Sequence, residues 1–285
     1  MMRCDDVAPG STRPSLSKAV ATLRALRLAR LGRILLWGHE LNVIDVIRLN
    51  YCKAFRRLQV TFRGLPLEIV DANSFLGIYE EIFLRRLYDF TSLTDSPLMI
   101  DGGANVGLAT LFFKMHHPAG RVIAFEPDPA IFECLQKNVA SFNLREVELM
   151  PSALWNTDGL LAFAAQGGAS GHVVTSGSSE TVSVPAARLK SWLGQKVDFL
   201  KLDVEGAEIE VLEDCAEELR HVERLFVEYH SRQDTEQKLS RILQILTQAG
   251  FRYHIHEAFT SPRPFLAREL LGGMDLQLNI FAYRV

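Results

Sequence analysis

Met99-Ile100-Asp101-Gly102-Gly103-Ala104-Asn105-Val106-Gly107 reads as a buried strand that ends on an acidic residue, turns on glycines and enters a helix. In a doubly wound α/β sheet, such a turn presents backbone N–H groups and a helix N-terminus to a nucleotide-like ligand. Glycine is needed there because only it lets the main chain approach the ligand closely. The pattern is Asp-x-Gly-x-Asn-x-Gly, and the dinucleotide fingerprint Gly-x-Gly-x-x-Gly is missing. That difference turns the expectation from a pyrophosphate towards S-adenosylmethionine, whose charge lies in an amino acid and a sulfonium.

Downstream, the chain alternates strand and helix, which implies a parallel α/β sheet. Strands are expected at 98–100, 121–125, 147–150, 199–202 and 225–229, with helices at 105–116, 129–143, 207–219 and 236–249. Asp128 is the expected cap of the second helix, Pro129 its first residue, and Gly250 the end of the last. Short strands at 160–165 and 181–185 flank a Gly/Ser-rich loop, 167–179, and strands at 251–256 and 277–283 close the sheet. Upstream, 1–15 is polar, 16–57 mostly helical, and 58–70 a hairpin turning on Gly64-Leu65-Pro66. Residues 74–90 carry Phe75, Ile78, Tyr79, Ile82, Phe83 and Leu87 at helical spacing. The expected division is an N-terminal extension, 1–90, and a ligand-binding domain, 91–285. The extension is placed as a lid over the ligand site or as a contact for a membrane or partner.

The 285 residues are 48% apolar, enough for a substantial core, and the formal charge of −3 gives no global attraction to nucleic acid. Cys4, Cys52, Cys134 and Cys215 are too scattered for a zinc or disulfide framework, which fits a reducing, cytoplasmic setting. No apolar run approaches the ~20 residues of a membrane helix. Arg24, Arg27, Arg30 and Arg33 recur among leucines and alanines, as in a helix that packs its apolar side and solvates its basic one, or lies on an anionic membrane.

For the cofactor, Asp101 is placed at its α-amino group, Gly103 and Gly107 leave room for the methionine part and the ribose, and Asn105 caps the helix. Glu126, within Phe125-Glu126-Pro127-Asp128, ends the second strand about 20 residues beyond the glycine turn, where a carboxylate grips ribose hydroxyls. Pro127 follows it, and Ser152 lies where the third strand would meet the adenine edge.

The sequence resembles the FkbM family of S-adenosylmethionine-dependent methyltransferases. The resemblance rests on Ile100–Gly107, on Phe125-Glu126-Pro127-Asp128-Pro129, on Val184-Pro185 ahead of Leu189, and on Phe226-Val227-Glu228-Tyr229-His230. The most specific stretch is Asp198-Phe199-Leu200-Lys201-Leu202-Asp203-Val204-Glu205-Gly206-Ala207-Glu208. It covers about residues 70–285, with Arg188-Leu189-Lys190 departing where the family often has an acidic residue. The resemblance implies a class I methyltransferase sheet of about seven strands, the last antiparallel. It also implies O-methylation, often of sugars or natural products.

Transfer to a hydroxyl needs the oxygen aligned with the methyl group and relieved of its proton. Lys201, Asp203 and Glu205 alternate at the fourth strand, and Glu228 and His230 at the fifth, so these groups should meet at the carboxyl edge. Asp203, Glu205 and His230 are the catalytic candidates. Glu205 is expected to stay ionised beside a helix N-terminus, and His230 to act as the base. A divalent metal on these oxygens and His230 is left open, and no metal ligand is assigned. His172, in the Gly/Ser-rich loop, is a second base candidate; His116, His117, His254 and His256 read as structural, and Trp37, Trp155 and Trp192 as packing. The acceptor is expected to be a small molecule or glycan, not a nucleic acid. Two alternatives stay open: a non-catalytic S-adenosylmethionine-binding module in a biosynthetic complex, and an NAD-dependent oxidoreductase.

Overall fold

The computed structural model describes residues 28–52, 56–164, 171–173 and 181–285. Arg24, Arg27, Cys4 and most of the Gly/Ser-rich loop lie outside them.

The N-terminal part forms a helix over 28–37, α1 (Val43–Asn50), β1 (Leu58–Phe62), β2 (Leu65–Ile69) and α2 (Ala72–Tyr79), which runs on as one π-helical turn, Glu80–Leu84. The hairpin turns on Arg63-Gly64, not on Gly64-Leu65-Pro66. Both turn residues adopt positive φ, 48° and 82°, and Phe62 pairs directly with Leu65. A two-residue loop of that kind follows the twist of its strands, and it draws Leu65 and Pro66 into β2.

The core chain runs β3 (Leu98–Gly102), α3 (Leu108–His116), β4 (Arg121–Phe125), α4 (Pro129–Ser141), β5 (Val147–Met150), β6 (Ala153–Trp155), β7 (Gly159–Ala164), β8 (His172–Val173) and β9 (Val182–Arg188). It continues through β10 (Phe199–Leu202), α5 (Glu208–Asp214), β11 (Arg224–Arg232), α6 (Leu239–Gln248), β12 (Arg252–Phe259) and β13 (Met274–Tyr283). Seven strands form one sheet in the order β12-β13-β11-β10-β3-β4-β5. β13, the last strand, lies antiparallel between β11 and β12, and the pairings from β11 to β5 are parallel. This is the α/β Rossmann-like sheet of class I methyltransferases. The strand order reverses between β3 and β10, so a crevice opens at their carboxyl ends, where such sheets bind ligands.

The pleat sorts the core. Met99, Val122, Ala124, Phe199 and Phe226 face α3, α4 and the N-terminal elements, whereas Ile100, Ile123, Leu200, Leu202 and Val227 face α5 and α6. Phe62 packs edge-on to Tyr79, Phe83 and Phe142, and Tyr88 packs edge-on to Phe226 at 4.9 Å. Buried Asn138 of α4 accepts from the Glu68 N–H at 2.7 Å and donates to the carbonyls of Glu68 and Val106, both at 2.8 Å. It thereby ties the hairpin to the glycine turn. The described part of the extension is thus a layer of the same unit, joined through one hydrophobic core.

A second sheet, β6-β9-β7-β8, grows from the region expected to hold only two short strands and a loop. Its β6 lies between β5 and the first of those expected strands, where no strand is predicted.

Arg30 and Arg33 reach back to Glu80, at 3.2 and 2.7 Å, so part of the basic series is spent inside the extension. Trp37, Ile44 and Tyr51 are exposed, which departs from the packing role expected of Trp37. Among the described residues, no helix is long and apolar enough to cross a membrane.

Candidate active site

The glycine turn is built by close backbone approach. Gly103 has φ +82°, and a Cβ there would lie 1.8 Å from the Asp203 carbonyl oxygen, so β3 and β10 come together only over glycine. Asn105 does not cap α3 as expected. It adopts φ +51°, its Oδ1 accepts from Val106 N at 2.8 Å, and the helix starts at Leu108 with Gly107 at the cap position. The left-handed step at Asn105 aims its backbone N–H at Glu126 Oε2, 2.9 Å away, and the Asp128 N–H donates to Glu126 Oε1 at 2.9 Å. Glu126 is buried, and burial pushes its carboxyl up to about 7 even though the two amides pull the other way.

A cavity of about 360 Å³ lies over this turn, within the ~300–1,000 Å³ usual for ligand pockets. Gly103, Asn105, Glu126, Pro127 and Ser152 line it, and Ser152 Oγ is buried without a hydrogen-bond partner among the described residues. Asp101 and Gly107 do not line it. Asp101 sits one layer deeper and fully buried, where Thr110 Oγ1 donates to it at 2.7 Å and Lys201 Nζ lies 3.3 Å away. Lys201 also donates to the Gly103 carbonyl at 2.8 Å and stands 3.3 Å from Asp203. Burial works against its charge, but Asp203 and Asp101 outweigh burial and hold the amine above the ordinary lysine range. Asp101 therefore acts through Lys201, which fastens the glycine turn to β10.

The cavity continues into an acidic end, where the expected groups do meet. Asp203, Glu205 and Glu228 line its wall, and His230 lies behind them with its side chain 2% exposed. His230 Nε2 is 3.7 Å from Glu205, 3.7 Å from Glu228 and 4.0 Å from Asp203, while Nδ1 is 3.0 Å from Glu208 Oε1. That same Glu208 oxygen accepts from Val204 N and Gly206 N, at 3.3 and 3.0 Å. Glu205 and Gly206 both take positive φ, 55° and 102°, in the turn that bends Glu205 back towards His230. Burial pulls the imidazole pKa down, but Glu208, Glu205 and Glu228 outweigh it and hold His230 well above the usual range. Glu205 is not kept ionised as expected: burial pushes its carboxyl up to about 8, and Asp203 and Glu208 add to the rise against the pull of His230. Glu228 is raised well above the ordinary range, by burial first and then by Asp203.

Glu81 closes the acidic end from the N-terminal side and went unnoticed in the sequence, as did the wall formed by Leu271, Gly272, Met274 and Gln277. Glu81 stands on the π-helical turn, a feature frequent at functional sites, and burial raises its carboxyl. One signal was available: with Ser74, Ile78 and Ile82, Glu81 falls on a single helical stripe, where a carboxylate is out of place. The side chain of His172 lies outside the described residues. His254 stacks on Tyr283, His116 tilts on Phe112, and Trp192 meets Phe125 edge-on at 4.9 Å, all packing roles.

A family profile described as the methyltransferase FkbM domain matches residues 101–253. The chain is 31% identical to Methyltransferase 1 of Beauveria bassiana, over 50% of this chain and 67% of that protein. It is 36% identical to the 31-O-demethyl-FK506 methyltransferase FkbM of Streptomyces tacrolimicus, over 26% of this chain and 30% of that one. The solved methyltransferase FkbM of Methylobacillus flagellatus is 14% identical and superposes with a TM-score of 0.49, covering 72% of this chain. This chain spans 48% of that protein's length. The profile takes in the glycine turn, Glu126, Lys201, Asp203, Glu205 and His230 together, and the chain belongs to the FkbM methyltransferase family.

Proposed function

We propose that this chain is an S-adenosylmethionine-dependent O-methyltransferase acting on a hydroxyl of a saccharide, glycoconjugate or secondary metabolite. The observation that carries the reading is one cavity that runs from Glu126 and Ser152 to Asp203, Glu205 and Glu228. The residues fit the cofactor. Among the described residues, Ser152 Oγ is a buried hydroxyl without a partner in the cavity lining, and Glu126 is a buried carboxyl that accepts from two backbone amides. S-adenosylmethionine, when bound, supplies a methyl group on a sulfonium.

Glu126 accepts hydrogen bonds from the ribose hydroxyls, and Ser152 orients the adenine edge. Lys201 holds the Gly103 carbonyl and keeps the turn closed. Asp203 aligns the acceptor at the end of β10. Glu205 in its ionised form takes the hydroxyl proton; a carboxyl near 8 makes that form a stronger base than an ordinary glutamate, so turnover climbs as pH rises through about 8. His230 lies behind those carboxylates with Nδ1 held by Glu208, and the base role moves from His230 to Glu205. The Streptomyces relative, a 31-O-demethyl-FK506 methyltransferase by name, supports oxygen as the methylated atom.

The test is transfer of isotope-labelled methyl to extracted glycans and metabolites, combined with Glu205→Gln. That variant should bind S-adenosylhomocysteine normally and lose about 10²–10³-fold in turnover. Normal cofactor binding with no labelled product from any extract would favour the non-catalytic module instead.

A further inference from the structure

The acidic end of the cavity holds one imidazole and more carboxylates than a proton-transfer site needs. Asp203, Glu228 and His230 each offer a ligand atom, and those atoms lie within 4.8 Å of one another. Two donors ~2.1 Å from one small cation stand ~3–4 Å apart, so the separations of 3.7 and 4.0 Å from His230 Nε2 need little adjustment. The imidazole is oriented for the task. Nδ1 is tied at 3.0 Å to Glu208, which is itself buried and anchored on two backbone amides. Nε2 makes no hydrogen bond among the described residues and is directed at the three carboxylates, although the side chain is 98% buried. A histidine whose outer nitrogen is fixed by a carboxylate while the inner one faces an oxygen cluster is how metal sites set the tautomer of a ligand. Asp203 and Glu228 also line the cavity, so a cation on them would keep coordination positions open to an acceptor.

We propose that Asp203, Glu228 and His230 form a site for a small, hard divalent cation, Mg²⁺ or Mn²⁺, that binds the acceptor hydroxyl. Oxygen-rich donors with a single imidazole suit these ions better than softer metals. Resting on the methyl-transfer reading above, the site gives the acidic end a defined task. The cation lowers the pKa of the coordinated hydroxyl, as metal ions do for bound water. Glu205, left outside the coordination set, receives the proton. The acceptor O–CH₃ bond forms as the S–CH₃ bond breaks, and the electron pair of the broken bond stays on sulfur as a neutral thioether. The cation keeps its oxidation state, and the acceptor's two-oxygen neighbourhood, as in a vicinal diol, fills the open positions.

The experiment uses the full chain, stripped with chelator, titrated with Mn²⁺ and followed by the electron paramagnetic resonance of free Mn²⁺. One Mn²⁺ per chain is expected. Glu228→Gln should weaken uptake more than tenfold, and Glu208→Gln, which alters the outer partner of His230 while keeping an oxygen for the Val204 and Gly206 amides, by about 10–100-fold. Glu126→Gln, at the other end of the cavity, should take up Mn²⁺ as the unaltered chain does. S-adenosylhomocysteine binding by the same samples separates the two readings. Binding without Mn²⁺ uptake, or uptake indifferent to Glu228→Gln, overturns the cation site alone; no binding of either ligand overturns the methyl-transfer reading as well.

Discussion

The two ends of the cavity are built in opposite ways. The end at Glu126 is local: Gly103, Asn105, Glu126 and Ser152 come from consecutive strand tips, and backbone amides supply most of its polar contacts. The end at His230 is assembled from afar. Asp203 and Glu205 follow β10, Glu208 opens α5, Glu228 and His230 sit on β11, and Glu81 arrives from the extension. Amides are permanent dipoles that need no charge balance, so the first end is finished once the chain turns. Crowded carboxylates are stable only with protons or cations among them, so the second end is held by Lys201, by His230 and by raised carboxyl pKa values. A turn can carry a family-wide cofactor, whereas a cluster drawn from several elements can change one member at a time. On the function proposed above, acceptor choice belongs to the second end.

Lys201 joins the two ends, and removing its charge is expected to have the largest effect. Lys201→Met leaves Asp101 buried and uncompensated, which costs about 3–5 kcal/mol for a pair this deep. Thermal unfolding should show a large fall in Tm, and Asp101→Asn in the same chain should recover much of it. An unchanged Tm would mean that the ends are not coupled through this amine.

Glu126→Gln should act on one end alone. Losing a charged acceptor costs about 1.5–3 kcal/mol, or about 10–100-fold in affinity for S-adenosylhomocysteine, with metal uptake unaffected. The pH dependence carries a sign. Because burial raises the Glu126 carboxyl to about 7, its contribution to the stability of the ligand-free chain is full below the ordinary glutamate range and is lost as pH rises through about 7. Ribose hydroxyls donate to the ionised form, so cofactor affinity should rise from pH 6 to pH 8. Calorimetry across that range should find the rise in the unaltered chain and not in Glu126→Gln.

Glu81→Gln probes the opposite end. We expect the acceptor KM to rise by about fivefold, the worth of one modest hydrogen bond, with cofactor affinity unchanged. A change in cofactor affinity instead would place the extension over the wrong end. His254→Ala, on the far edge of the sheet, should leave Tm and both affinities nearly as they are, within about 0.5 kcal/mol.

The same contrast explains what could be read from the amino-acid sequence. β4, β5 and β10 fall where periodicity predicts them, since buried parallel strands are short apolar runs bounded by turn residues. Gly103, Asn105, Glu126, Pro127 and Ser152 all reach the cavity because each is tied to the tip of such a strand. Asp101 and Gly107 share the same motif but serve the turn from behind, a distinction of depth that spacing does not carry. Sheet β6-β9-β7-β8 escaped because its strands are paired across a long insertion, and pairing partners leave no mark on local periodicity. Glu81 and Glu208 escaped for a related reason: each gains its role from a residue far away in the chain. Ionisation was the least legible property. His230 and Glu205 are ordinary residues whose charge depends on neighbours within 4 Å, and those neighbours exist only once the strands have assembled.

Calorimetric titration of S-adenosylhomocysteine into the unaltered chain, Glu126→Gln and Glu205→Gln tests the division of the cavity most directly. One molecule per chain should bind the unaltered protein and Glu205→Gln with the same affinity, and Glu126→Gln at least tenfold more weakly. No binding to the unaltered chain, or equal losses in the two variants, would contradict a cofactor end distinct from an acceptor end.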